Sequence, residues 1–293
     1  MNAVKEKAYA KINLYLDVLN KRDDGFHSIS TVMHSVSLYD ELTVMINSFG
    51  KRSVKLFIEG NKRLPIDSKN LAYKAAELFL NTAGINADIT LSLNKRIPVC
   101  AGFAGGSSDA AATLRALNRL FKRPFTDKAL LKLAENIGSD VPYCVVGGTA
   151  LCEGRGEIIT RLPDSIMLYV VTAVGKEYVS TPMAYGVLDR LYNDFNGTIS
   201  TGGEEHLKAL LSYINGNEKA PTELFNVFES AVLPECPIAR SIKERLISLG
   251  AEYSLMSGSG AGVFGIFRSE KEALFAAESL NSEGFSAYYT KSV

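Results

Sequence analysis

The residues of this chain that could do chemistry fall in a few short segments. The longest is Pro98-Val99-Cys100-Ala101-Gly102-Phe103-Ala104-Gly105-Gly106-Ser107-Ser108-Asp109-Ala110-Ala111-Ala112. Gly102, Gly105 and Gly106 carry no Cβ, so a polyphosphate could approach the backbone closely there. Ser107 and Ser108 add hydroxyls where phosphate oxygens or a metal ion would sit. Asp109 reads as an N-cap or first-turn acid, and the three alanines after it suit tight packing of a helix on its sheet. A plain serine-capped loop is the ordinary alternative for a glycine run. The flanks argue against it: Asp88 to Leu93 alternates as a half-buried strand does, and Leu114, Leu117, Leu120 and Phe121 fall on one helical face. A strand, a glycine loop and a helix N-terminus in that order present unpaired N–H groups and a positive dipole end to an anion. The run is neither a P-loop, since no Gly-Lys-Ser/Thr follows, nor the dinucleotide fingerprint Gly-x-Gly-x-x-Gly.

Other polar residues stand in unusual company. Lys11 and Asn13 interrupt the apolar alternation of Ala8, Ala10, Ile12, Leu14, Leu16 and Val18, on one face of a predicted strand. Alternation alone also allows an outward-facing lysine. Asp140 follows Gly138 and Ser139 and precedes Pro142, a constrained place for a carboxylate, although an ordinary turn aspartate would fit the same context. His27 follows Asp24-Gly25-Phe26, whereas His34 and His206 read as structural. Tyr185, just after Thr181-Pro182, serves equally as an aromatic platform or as helix core. Ser257-Gly258-Ser259-Gly260-Ala261-Gly262 could be a simple glycine turn or a backbone nest for phosphate.

The elements that must position these residues can be read from periodicity and breakers. After the first strand, Ser28 to Ile46 predicts two strands about a turn at Tyr39-Asp40-Glu41, and Val54 to Ile58 another. Helices are predicted over Asn70 to Thr82, with Gly84 as a stop, and over Thr126 to Ile137, with a threonine cap. Beyond about residue 160, Met167 to Ala173 predicts an apolar strand. Pro182 to Leu191, Glu204 to Tyr213, Glu223 to Val232 and Pro237 to Leu249 predict helices. Strands over Tyr253 to Met256, Gly262 to Phe267 and Phe285 to Tyr289, with a helix over Glu270 to Leu280, suggest a ferredoxin-like layer. Asn193 to Gly203 reads as a mobile loop.

Composition bounds the rest. The chain has 293 residues, 46% of them apolar, enough for one large or two ordinary domains. Lys plus Arg and Asp plus Glu are equal at 32 each, which argues against a nucleic-acid binder with a broad basic footprint. The four cysteines form no CxxC pair, so reduced thiols are expected rather than zinc ligands or disulfides. No apolar run reaches membrane-spanning length, and the expected location is the cytoplasm, as a monomer or homodimer without membrane or nucleic-acid partners.

With these segments in view, the chain resembles the GHMP kinases, whose shared loop reads Pro-x-x-x-Gly-Leu-Gly/Ala-Ser/Gly-Ser-Ser. Four segments match in family order: Ala8-Tyr9-Ala10-Lys11-Ile12-Asn13-Leu14 leading to Asp24-Gly25-Phe26-His27, the glycine loop, Gly138-Ser139-Asp140-Val141-Pro142 leading to Gly147-Gly148-Thr149-Ala150 and Glu153-Gly154-Arg155-Gly156-Glu157, and Met256 to Phe264. The resemblance implies an α+β fold of two halves, residues 1–160 as an α/β N-terminal domain and 161–293 as a ferredoxin-like C-terminal domain, with the active site in the cleft between them. It is nearest to the branch that phosphorylates the 2-hydroxyl of 4-diphosphocytidyl-2-C-methyl-D-erythritol in non-mevalonate isoprenoid synthesis, with ATP and Mg2+. By that resemblance Asp140 is the general base and Lys11 assists it. Pro98, Ala101, Gly102, Phe103, Ala104, Gly105, Gly106, Ser107, Ser108, Asn70 and Lys95 hold ATP, with Ser107 and Ser108 near the metal. Asn13, Phe26, His27, Thr181, Tyr185, Gly258, Ser259 and Gly260 bind the substrate that carries the cytidine diphosphate group, His27 at the base edge and Phe26 and Tyr185 about its faces. The chain departs from the pattern at Tyr9, where the family has proline, at Phe26, where tyrosine is usual, at Phe103, where leucine is common, and at Cys100. A homoserine- or mevalonate-type kinase, or a kinase-like binding protein without turnover, are the alternatives.

Overall fold

The structure is a computed structural model describing residues 2–61, 63–192, 201–217 and 219–293. The chain forms two compact units: Met1–Ala10, Tyr39–Val99 and Ala104–Gly147 make the first, and Lys11–Leu38, Cys100–Phe103 and Gly148–Val293 the second. They do not follow the single boundary expected near residue 160. Two strands are too long for that: β1 (Ala3–Lys21) and β2 (His27–Phe49) each contribute residues to both units.

In the first unit, β3 (Ser53–Glu59) pairs parallel with β4 (Ala87–Asn94), and β4 pairs antiparallel with the Glu41–Phe49 part of β2. α1 (Leu71–Thr82), α2 (Gly105–Leu120) and α3 (Asp127–Glu135) share one apolar core with these strands. Ala75, Ala76, Ala110, Ala111 and Ala112 are all fully buried there, so small side chains let α1 and α2 pack closely. Asn70 and Thr126 cap α1 and α3 through their side-chain oxygens, as their positions before apolar stripes suggest. The expected turn at Tyr39-Asp40-Glu41 is absent; β2 runs unbroken for 23 residues. Asp40 is buried in it, and its Oδ1 accepts from the N–H groups of Arg96 at 2.5 Å and Ile97 at 2.8 Å. A carboxylate satisfied in this way needs no turn. A further helix, α4 (Val141–Val146), closes the unit.

In the second unit, β5 (Thr149–Gly154) pairs with the Ile29–His34 part of β2 and with β6 (Ile158–Arg161). A four-stranded antiparallel sheet follows, built from β7 (Tyr169–Val174), β9 (Tyr253–Met256), β10 (Val263–Phe267) and β11 (Ser286–Lys291) in the order β11-β7-β10-β9. α8 (Pro237–Ser248) and α9 (Glu270–Ser282) lie against it, which is the expected ferredoxin-like arrangement. α5 (Thr181–Leu191), α6 (Gly203–Ile214) and α7 (Phe228–Val232) are inserted between β7 and α8. The helix expected over 223–232 is broken. Phe225 and Asn226 form β8, parallel to Tyr15 and Leu16 of β1, and only the last five residues are helical. The cause is Asn226, whose Nδ2 donates to the carbonyls of Met256 at 2.6 Å and Gly258 at 2.9 Å, while Oδ1 accepts from Phe228 N at 3.0 Å. Of the expected loop 193–203, residues 193–200 lie outside the described residues, Thr201 donates to Asp17 Oδ2 at 2.5 Å, and Gly203 already opens α6.

Candidate active site

The glycine loop passes from the second unit (Cys100–Phe103) into the first (Ala104 onward). Cys100 and Ala104 both take left-handed backbone, at φ 56° and 57°, which non-glycine residues adopt at a cost. Ala104 is the N-cap of α2, so the helix begins at Gly105 and its first turn is Gly105-Gly106-Ser107-Ser108. That turn contains no acid, which corrects the expectation for Asp109: it lies on the second turn and is buried. The glycines differ in their surroundings. A Cβ at Gly105 would press on Ile97 at 3.1 Å and the Lys95 ammonium at 3.2 Å. One at Gly106 would meet only Leu71, at 3.6 Å, and Gly106 is exposed, so its lack of a side chain answers to something other than protein packing. Ser108 is buried and its hydroxyl donates to the Tyr9 carbonyl at 2.5 Å, so it ties α2 to β1 rather than facing outward. Ser107 is half-buried, as is Pro98, while Ala101 and Phe103 are buried.

Beneath Gly105 lies a buried ion cluster. Lys95, whose side chain is 5% exposed, holds Asp40 Oδ2 and, at 2.7 Å, Asp109 Oδ2. One cation thus faces two carboxylates. Asp40 Oδ1 takes two backbone N–H groups, whereas Asp109 Oδ1 has no partner among the described residues. A proton therefore settles on Asp109. Burial, with help from Asp40, pushes its carboxyl up to about 8 against the pull of Lys95. Burial alone would depress the Lys95 ammonium, but the two carboxylates outweigh it and hold it above the usual lysine value. Lys95 was expected on the adenine side of ATP; its ammonium is committed to these aspartates. Asn70, expected there too, uses Oδ1 to cap α1 and Nδ2 to reach the Pro65 carbonyl at 3.0 Å. Asp140 is half-buried, stands before α4, and does not cap that helix with its side chain.

In the second unit Lys11 is buried within β1, and its Nζ donates to Asn13 Oδ1 at 2.6 Å. Gly258 N donates to the same oxygen at 2.8 Å, and the Asn13 Nδ2 donates to Thr31 Oγ1 at 2.8 Å. Asn13 was expected to contact substrate; its oxygen accepts from Lys11 and Gly258, so the side chain joins Lys11 to the Ser257–Gly262 loop. Ser257 Oγ donates to the Gly102 carbonyl at 3.0 Å. The two glycine segments approach so closely that a Cβ at Gly102, which sits at φ +77°, would overlap the Ser257 carbonyl. Gly260 N donates to the Ser257 carbonyl at 3.1 Å, and the hydroxyls of Ser259 and Thr181 are 2.9 Å apart. Lys11, Asn13, Thr181 and Gly258 to Gly260 are thereby one connected group.

α5 carries Thr181 and, one turn on, Tyr185. The Tyr185 ring stacks on the His27 imidazole with centroids 4.7 Å apart and planes at 26°, and meets Phe228 edge-on at 4.9 Å. So Tyr185 serves both readings left open by its sequence, packing on the core and presenting a ring. Phe26 is 52% exposed, with the Arg155 guanidinium 4.8 Å over its ring. Sequence reasoning missed Asp189, whose Oδ1 is 2.6 Å from His27 Nε2 and whose Oδ2 accepts from Lys21 at 2.9 Å. Its place four residues after Tyr185, on the same helical face, was the available signal. Thr31 and Asn226, which anchor Asn13 and the Ser257–Gly262 loop, gave none.

His34 and His206 have structural settings: His34 is buried between Thr149 and Ser292, and His206 stacks on Phe225. All four cysteines are free thiols. Among the described residues no helix is long and apolar enough to cross a membrane.

Comparison with known proteins bears on this geometry. The family model "GHMP kinases N terminal domain" matches residues 70–148, and "GHMP kinases C terminal" matches 207–286. The chain is 40% identical over 276 residues to the 4-diphosphocytidyl-2-C-methyl-D-erythritol kinase of Caldicellulosiruptor saccharolyticus, covering 94% of this chain and 91% of that one. The enzyme of the same name from Acetivibrio thermocellus is 37% identical over 294 residues, covering all of both chains. A crystal structure of 4-(cytidine 5'-diphospho)-2C-methyl-D-erythritol kinase superposes with a TM-score of 0.80 at 33% identity, over 99% of this chain and 100% of that one. Homoserine kinase from Cytophaga hutchinsonii shares the fold, with a TM-score of 0.74 at 20% identity, over 100% and 95% of the two chains. With both family models matched in order and relatives of this identity along nearly its whole length, the chain belongs to the GHMP kinase family.

Proposed function

We propose that the chain transfers the γ-phosphoryl group of ATP to the 2-hydroxyl of 4-diphosphocytidyl-2-C-methyl-D-erythritol, giving the 2-phosphate and ADP. The observation that carries the choice of acceptor is the stacked pair His27–Tyr185, an aromatic platform with a hydrogen-bonding edge, in the unit that also holds Lys11. Homoserine and mevalonate bring no base for such a pair to read. The relatives named above act on the cytidine-bearing substrate and cover nearly the whole chain.

Phosphoryl transfer needs positioning and charge neutralisation more than covalent chemistry. The N–H groups opening α2 and the exposed Gly106 would cradle the triphosphate. Asp140 would accept the hydroxyl proton. The Lys11 ammonium, aimed by Asn13, would offset the charge of the developing alkoxide. Of the loop hydroxyls, Ser107 suits a magnesium ion carried on the nucleotide, since Ser108 is spent on Tyr9. Magnesium, when bound, supplies charge neutralisation on the phosphate oxygens. The test is ADP release with ATP and magnesium, alone and with the cytidine substrate, homoserine or mevalonate. ADP formed with the cytidine substrate alone supports the proposal. Turnover of homoserine or mevalonate instead would replace it, and no turnover with any would indicate a silent binding protein.

A further inference from the structure

We propose that Asp189 is a specificity-determining positioning residue: by fixing which nitrogen of His27 carries the hydrogen, it makes the imidazole edge an acceptor for an exocyclic amino group and so selects cytidine over uridine. This rests on the reading of His27 as the partner of the base edge.

Asp189 Oδ1 lies 2.6 Å from His27 Nε2, and a carboxylate can only accept, so Nε2 carries the hydrogen. In the neutral ring Nδ1 is then an acceptor. Lys21 Nζ occupies the other carboxylate oxygen at 2.9 Å, which holds Asp189 in register and leaves one oxygen for the histidine. Burial works to raise the Asp189 carboxyl, and the hydrogen bonds from Lys21 and His27 overcome it, so the group stays below the usual carboxylate range and keeps its accepting form. The Tyr185 ring fixes the plane. An imidazole tilted only 26° from the tyrosine ring turns its edge toward whatever lies beside it on that platform. Cytosine offers an amino donor at position 4, and uracil offers a carbonyl there. An acceptor facing the amino group is satisfied; the same acceptor facing a carbonyl leaves two lone pairs opposed.

Asp189→Asn separates this role from a merely structural one. The Lys21 ammonium cannot accept, so it must keep the amide oxygen, and the amide NH2 then faces His27 Nε2. Nε2 must accept, and the hydrogen moves to Nδ1, which inverts the edge. Two measurements follow, both on the full chain. In the free protein, 15N NMR of His27 at about pH 8 should show the hydrogen on Nε2 in the wild type and in Asp189→Glu, and on Nδ1 in Asp189→Asn. In steady-state kinetics the cytidine-to-uridine ratio of kcat/KM should fall about 10- to 100-fold in Asp189→Asn, the loss expected when a buried hydrogen bond becomes a mismatch. KM for ATP should hold, and Asp189→Glu should recover most of the ratio. A wild-type ring carrying its hydrogen on Nδ1, or a tautomer unmoved by Asp189→Asn, overturns the inference. So does a moved tautomer with an unchanged ratio in an enzyme that prefers cytidine. A wild type that uses both substrates equally sinks the base-edge reading itself, and the NMR result still reports separately on Asp189.

Discussion

Asp109→Asn offers a quantitative test of the buried cluster under the glycine loop. In the unfolded chain an aspartate titrates near 3.9. In the folded protein burial raises Asp109 to about 8. Between those values the folded state holds a proton that the unfolded state has released, so stability falls as pH rises, by about 1.4 kcal/mol per pH unit for one proton. The loss begins above the unfolded value and levels off beyond the folded one. From pH 6.5 to 8 it amounts to about 2 kcal/mol. Asparagine has nearly the same shape, can accept from Lys95, and does not titrate. The variant's stability relative to the wild type should therefore rise by about 2 kcal/mol between pH 6.5 and 8, with little further divergence at pH 9. Urea unfolding followed by far-UV circular dichroism at these pH values measures the difference directly, since other titrating groups are common to both proteins. Parallel stability curves for the two proteins would show that Asp109 does not hold the proton.

Four shorter predictions accompany it. Asp140→Asn should lower turnover roughly 10²- to 10⁴-fold, the usual range for a lost general base, with nucleotide affinity by calorimetry nearly intact; near-normal turnover would remove Asp140 from the chemistry. Gly106→Val should leave the melting temperature within a few degrees, because a Cβ there meets only Leu71 at 3.6 Å, yet weaken ATP binding sharply; unchanged affinity would relocate the triphosphate. Tyr185→Ala should raise KM for the cytidine substrate by roughly 10- to 100-fold, as loss of one base-stacking ring implies, while KM for ATP holds. His34 is pushed down to about 4 from 6.5 by burial, so its contribution is whole above pH 6.5 and is lost on acidification toward 4. Over that window the wild type should lose roughly 3 kcal/mol that His34→Asn, which does not titrate, retains; equal acid sensitivity of the two would refute it.

What could be read in the sequence was whatever depends on neighbours along the chain. The alternation around Lys11, the caps Asn70 and Thr126, and the strand–glycine loop–helix order all follow from local backbone geometry, so they survive into the structure at nearly their expected places. So did the ferredoxin-like sheet, because α8, β9, β10, α9 and β11 follow one another along the chain with short connections. Local reasoning failed where a distant residue supplied the missing partner. A polar residue at Asp40 looks like a turn until Lys95, 55 residues away, is beside it. The segment 223–232 has a helix's pattern until Asn226 is claimed by the carbonyls of Met256 and Gly258. Nothing near His27 announces Asp189, 162 residues on. The sequence by itself determined which residue types could bind phosphate, move a proton and read a base. Only the tertiary structure decided which nitrogen, oxygen or ammonium each of them would have to spare, because a buried polar group takes its hydrogen bonds from whatever the fold brings within 3 Å, and chain distance does not enter that choice.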